Sequence, residues 1–185
     1  MSARQTTGGG ISDAALRFKT KVAGVCWLVT ILAGACAAFL RGPAGVTANL
    51  VATAAYAVAT AYVYQLLAPV SRAFSGLAAV FSFIGCILSV LAVIDRAPAI
   101  NPLVFFGLHC FLVGLLILQS AYLPRAIGAL MVFAGLGWLT FLSPTLAKRL
   151  TPFNMLPGVL GEASLTFWFL AKGVNIAKWR EKAQG

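Results

Sequence analysis

Six apolar runs, each close to the length that crosses a bilayer, leave this chain few folds to choose from. They are Val22–Leu40, Val46–Ala68, Phe74–Ile94, Leu103–Ala121, Ala126–Leu142 and Pro157–Val174, and a hydrocarbon core of about 30 Å calls for roughly 20 apolar residues of helix. Of 185 residues 61% are hydrophobic and only 10% charged, with a mean hydropathy of +0.93. A single soluble core cannot hide that much apolar surface, so lipid is the implied solvent. Lipid offers the backbone no hydrogen bonds, which makes the runs helices rather than strands. The expected fold class is therefore all-α, a polytopic membrane bundle of six transmembrane helices. An N-terminal tail (1–21), a transmembrane domain (22–176) and a C-terminal tail (177–185) complete the division, with no internal repeat and no room for a soluble domain.

The breaks between runs carry the expected punctuation. Pro69 ends the second run, Asp95, Arg96 and Pro98 mark the exit from the third, and Asn101-Pro102 opens the fourth with proline near the first turn, where its missing N–H costs little. Pro124-Arg125 and Ser143-Pro144 bracket the fifth. Small residues four apart, such as Ala48/Ala52, Ala57/Ala61 and Gly85/Ser89, allow close helix approach. The polar, glycine-rich opening Met1–Ile11 is expected to be disordered, and Ser12 or Asp13 is a candidate cap for a short amphipathic helix ahead of the first run. The simpler reading of Arg17, Lys19 and Lys21 is a basic flank. That flank, the short run and the small residues Ala35–Ala38 resemble a secretory cleavage region, but the run is read as a retained span.

A formal charge of +10 would suggest nucleic acid in a soluble protein. Here the basic residues gather at the ends of apolar runs, which membrane topology explains better, and no nucleic-acid partner is expected. With six spans, ten Lys and Arg fall on the side of the termini and four, Arg41, Arg96, Lys148 and Arg149, on the other. The positive-inside rule then puts both termini in the cytoplasm of a cell whose inner membrane holds the chain.

Two ionisable groups interrupt the apolar runs. His109 sits in FFGLHCFLVGLLILQSAYLPR and Glu162 in LPGVLGEASLTFWFLAKGVN. Each lies about six residues inside a helix entered from the same side, or roughly 9 Å at 1.5 Å per residue, so the two can be level. Gly158, Glu162, Thr166, Phe169 and Gly173 share one helical face. Arg41 and Asn49 approach from the first two helices, giving a candidate ligand-binding set of Arg41, Asn49 and Thr166 around a catalytic pair of Glu162 and His109. Glu162 and His109 are expected to have polar atoms within about 3.2 Å of each other, or to be linked by one water. Intramembrane ionisable groups carry a functional hypothesis by default, but a bond that only locks two helices remains the alternative. Arg41 also reads as an interfacial anchor, Asn49 as a packing residue and Lys172 as a snorkelling side chain.

Cys26, Cys36, Cys86 and Cys110 stand singly in apolar runs and read as small hydrophobes. One histidine and one central glutamate fall short of the three protein ligands usual at catalytic zinc, and a lone histidine is thin support for haem. No metal and no cofactor are therefore expected.

RFKTKVAGVCWLVTILAGACAAFLRG, LLAPVSRAFSGLAAVF, FFGLHCFLVGLLILQSAYLPRAIGALMVFAGLGWL and PGVLGEASLTFWFLAKGVN are similar to successive blocks of a family of bacterial and archaeal membrane proteins defined by a domain of unknown function. The GLH and LPR around His109 and Arg125, and the GE at Gly161 and Glu162, are the most specific parts. The resemblance implies a multi-span membrane protein and a longer segment between the third and fourth spans than DRAPAINP provides. It supplies no activity. The residues themselves favour a polar pocket in the outer half of the bundle that binds a small lipophilic or amphiphilic molecule, with acid/base chemistry by Glu162 and His109. A small proton-coupled carrier and a structural or accessory subunit are the alternatives, and a homo-oligomer or a membrane-protein partner fits the small-residue faces.

Overall fold

The computed structural model describes residues 11–94 and 100–185, and among them every regular element is helical. Helix α1 spans Asp13–Phe39, α2 Gly42–Leu67, α3 Arg72–Val93, α4 Pro102–Ser120 and α5 Arg125–Leu139, the last extended by a 3₁₀ turn at Thr140–Leu142. The short α6, Pro144–Leu150, precedes α7, Met155–Ala171, and α8, Ile176–Gln184. Five helices, counting α5 through Leu142, are long and apolar enough to cross a membrane. Helix α7 is equally apolar but has 17 residues. The chain is an integral membrane protein whose helices lie in a bilayer.

Most helix limits agree with the apolar runs, and the differences have local causes. The Ser12 side chain accepts from Ala15 N at 3.2 Å, so it caps α1. The helix it starts runs on without a break, and the basic stretch Arg17–Lys21 lies in its first turns. Four other side-chain caps do the same work, Ser71 on α3, Asn101 on α4, Ser143 on α6 and Asn175 on α8. Helix α7 stops three residues earlier than its apolar run. Gly173 takes φ +72, a left-handed conformation that suits glycine, and its N–H closes on Trp168 O at 2.9 Å. The expected disorder of Met1–Ile11, apart from Ile11 itself, and the exit marked by Asp95, Arg96 and Pro98 lie outside the described residues.

The large helices form a closed ring in chain order. Helix α1 packs on α2, α2 on α3, α3 on α4, α4 on α5, α5 on α7, and α7 returns to α1, while α2 also reaches α4 across the centre. Close approach in the α4–α5 pair depends on glycine: a Cβ at Gly135 would come within 2.7 Å of Gly107 O. Residues facing outward, such as Leu32, Val58, Ile87 and Phe133, are exposed hydrophobics that suit a lipid surround.

One end of the ring is tied by side chains. The carbonyl of Leu66, among the last of α2 with no partner inside its helix, accepts from Tyr122 Oη just after α4 and from Trp179 Nε1 of α8, both at 2.8 Å. Burial pushes the Tyr122 phenol above its ordinary range, which keeps it a donor. Tyr122 O in turn receives the Asn175 N–H. Lys21 of α1 donates to Leu170 O at the end of α7, and Arg180 pairs with Asp13. The start of α1 and the ends of α2, α4 and α7 therefore share one end of the bundle.

Candidate functional site

Five helices converge on one carboxyl group. Glu162 lies near the middle of α7, on the face it buries with Gly158, Gly161, Leu165, Thr166 and Phe169, and is 8% exposed. Its Oε1 accepts from the indole Nε1 of Trp138 in α5 at 3.1 Å and from the thiol of Cys110 in α4 at 3.4 Å. Its Oε2 accepts from Nε1 of Trp27 in α1 at 3.3 Å. Tyr56 of α2 stands behind the thiol, with its hydroxyl 3.7 Å from Cys110 Sγ. An ionised carboxylate is acceptor-only, so three donors across its two oxygens suit it. Among the described residues no cation pairs with it, since the one ion pair there, Asp13–Arg180, belongs to the end of the bundle.

The neighbours of Glu162 make its depth feasible. A Cβ at Gly158 would fall on the Trp138 indole, and one at Gly161 would come within 2.6 Å of Leu130 O. Glycine at both places lets α7 settle against α5, which brings the carboxyl to the two indoles. Trp27 is 1% exposed and meets Tyr56 edge-on at 5.8 Å between ring centroids. Trp138 is only half-buried and forms the side of the site nearest the bundle surface.

His109 occupies a different environment. Its Nδ1 lies 2.9 Å from Ala78 O in α3. A carbonyl only accepts, so Nδ1 carries the proton. Nε2 is buried without a partner among the described residues, as is Ser75 Oγ nearby, and both residues line a narrow space between α2, α3 and α4. Among the described residues no direct hydrogen bond joins His109 to Glu162. Successive residues on a helix point about 100° apart, so once Cys110 faces Glu162 its neighbour His109 turns toward α3. The rings beside the imidazole are Trp27 and Tyr56, with centroids at 6.2 and 5.7 Å, both of them members of the carboxyl network.

The other expected ligands stand apart from this centre. Arg41 is exposed before α2 and makes no capping bond. Asn49 is half-buried, its only side-chain neighbour by hydrogen bond being Thr53 at 3.5 Å, and it lies seven residues, or about 10 Å, along α2 from Tyr56. Neither bonds to Glu162 or His109. Thr166 is fully buried one turn from Glu162, but its hydroxyl donates to the Glu162 backbone carbonyl at 2.7 Å. It continues the helix rather than offering a donor to a ligand.

Four residues of the centre, Trp27, Tyr56, Cys110 and Trp138, were not among the expected site residues. Trp27 did carry a signal. Tryptophan favours the membrane interfaces, whereas residue 27 is 14 residues into α1, and a buried indole N–H needs an acceptor. Cys110 carried none, because a thiol in an apolar run reads equally well as a small hydrophobe.

Residues 99–173 match the family described as Domain of unknown function (DUF4386). Over 125 residues the chain is 30% identical to an uncharacterized protein of Archaeoglobus fulgidus, an alignment that covers 62% of this chain and 75% of that protein. No solved structure matches. The family segment takes in α4 to α7, hence His109, Cys110, Trp138 and Glu162, whereas Trp27 and Tyr56 precede it. On these similarities the chain belongs to the DUF4386 family of membrane proteins.

Proposed function

We propose that the working group of this membrane protein is the Glu162 carboxyl, and that it binds a small lipophilic or amphiphilic molecule through a cationic or hydrogen-bond-donating group. The observation that carries this reading is a buried carboxyl ringed by neutral donors with no cation among the described residues. A buried charge is normally paired, and an unpaired one attracts a positive or proton-bearing partner. Acid/base chemistry in this reading uses Glu162 to take a proton from the ligand, with Cys110 and Tyr56 as the adjoining hydrogen-bonded groups. His109 acts only at a distance. The half-buried Trp138 is the element nearest the bundle surface, so ligand entry passes beside it.

The test compares wild type with Glu162→Gln, purified side by side, by lipid-extract mass spectrometry and thermal stability. Loss of a copurified small molecule from the variant, with the bundle still folded, is expected. Equal ligand content at equal stability would sink the reading. A structural role is the second possibility, favoured by the same three donors, because they tie α1, α4 and α5 to α7 without needing a ligand.

The same proposal includes six spans with both termini in the cytoplasm of an inner membrane. Supporting the sixth is the length of α7, 17 residues or about 25 Å, at the short end of what crosses a bilayer. The shared position of the start of α1 and the end of α7 also supports an even number of crossings. The ten-to-four distribution of Lys and Arg supports the orientation. A cysteine introduced at Gln184 should resist membrane-impermeant reagent in intact cells. Strong labelling from outside would reverse the orientation.

A further inference from the structure

Where the chain's two ends meet, α1 and the turn between α7 and α8 enclose a cavity of about 140 Å³, roughly ten times the 10–15 Å³ that admits one water. Arg17, Lys21 and Lys172 line it, and much of the remaining wall is apolar, with Phe169, Val174 and Ile176. The left-handed turn at Gly173 brings Lys172 and Val174 to the same cavity as the first turns of α1. Among the described residues no carboxylate lines it. Asp13 is one turn before Arg17, but it pairs with Arg180. Lys21 donates to Leu170 O, an end carbonyl of α7, and Lys172 lies 5.6 Å from the Trp168 ring centroid. Arg17 and Lys172 are exposed and make no ion pair among the described residues.

We propose that this cavity is a binding site for the headgroup of an anionic phospholipid, with the phosphate between Arg17 and Lys172. Basic residues at the end of an apolar helix are common and ordinarily mark only the membrane interface. The difference here is that the three cations line a formed cavity with an apolar wall, which suits a molecule carrying both a phosphate and acyl chains. A soluble anion uses the charges but leaves Phe169, Val174 and Ile176 without a role. The neighbouring Phe18, 62% exposed on α1, adds an outward apolar surface beside the cavity that suits acyl chains. The site is independent of the Glu162 centre, which lies in the middle of the bundle.

The test uses the full chain in detergent micelles, titrated with phosphatidylglycerol or phosphatidylcholine and read by native mass spectrometry. Wild type should retain phosphatidylglycerol in preference to phosphatidylcholine. The double variant Arg17→Gln/Lys172→Gln should lose about 30-fold in phosphatidylglycerol affinity, from roughly fivefold for each basic residue near an anionic headgroup. Lys21 is left in place because it also caps α7. The double variant Lys148→Gln/Arg149→Gln removes the same charge from the last turn of α6 and should change affinity by less than about twofold. An equal fall in both double variants would show attraction to overall charge only and overturn the proposal. So would unchanged binding in Arg17→Gln/Lys172→Gln, or displacement of the lipid by millimolar inorganic phosphate, which would identify a soluble-anion site. If the double variant fails to fold, Lys172→Gln alone should still show the roughly fivefold loss, and no loss there overturns the site.

Discussion

Glu162 and His109 are placed deep in the bundle, about equally far along their helices, and the fold treats them in opposite ways. Among the described residues Glu162 receives donors from three helices, whereas His109 has one bond, to Ala78 O, and an Nε2 with no partner. The difference follows from chemistry and direction together. A carboxylate presents several acceptor positions that indoles and thiols can approach from different sides, while an imidazole with Nδ1 committed has a single acceptor left along one line. What a membrane helix does with a polar residue therefore depends on which helices its face meets, as well as on its depth.

Substitutions can break or sharpen this contrast. The largest effect is expected for Glu162→Ala, which strands the N–H groups of Trp27 and Trp138 and the Cys110 thiol. At about 1–3 kcal/mol per unsatisfied buried donor the loss should reach roughly 3 kcal/mol or more, measurable by denaturation in mixed micelles. A loss below about 1 kcal/mol would mean that the donors are not held by the carboxylate.

Glu162→Gln comes next. Although similar in size, glutamine replaces one acceptor oxygen with an NH₂ group, which then faces either Trp27 Nε1–H or the pair of Trp138 and Cys110 donors. About 1–3 kcal/mol should be lost, with Gln best placed to keep its oxygen toward the two-donor side. Stability equal to wild type would indicate that an indole has moved away. The smallest effect is expected for His109→Leu. It gives up one bond but also removes the unpartnered Nε2, and Ala78 O remains the acceptor of its own helix. A change within about 1 kcal/mol is expected from the same stability measurement, and a loss matching Glu162→Ala would abolish the contrast.

Much of the fold was legible before any tertiary contact was known. Apolar runs of near-constant length, broken by Pro69, Pro124 and Ser143-Pro144, correspond to α2 to α5 and α7 within a few residues, because lipid forces each span to satisfy its own backbone, whereas α1 begins nine residues ahead of its run. The burial of Glu162 with Gly158, Thr166 and Phe169 was legible too, since helical period alone sets which residues share a face. The short α6 was not, because PTLAKRL mixes polar and apolar residues over barely two turns. Nor was the partner of Glu162, because helical period sets a direction around one axis but does not say which helix stands opposite.

By itself, then, the amino-acid order determined a helical membrane protein, the approximate ends of its long helices, and the presence of a carboxyl and an imidazole deep within them. The tertiary structure decided that the carboxyl meets Trp27, Cys110 and Trp138, and that His109 turns away to α3. It also decided that Arg41 and Asn49 stand clear of the centre. Hydrophobic length and period act along one helix and can be read from neighbours in sequence. The choice among donors on other helices depends on the rotation of each helix about its axis, which the close contacts at Gly107, Gly135, Gly158 and Gly161 set only when the ring closes.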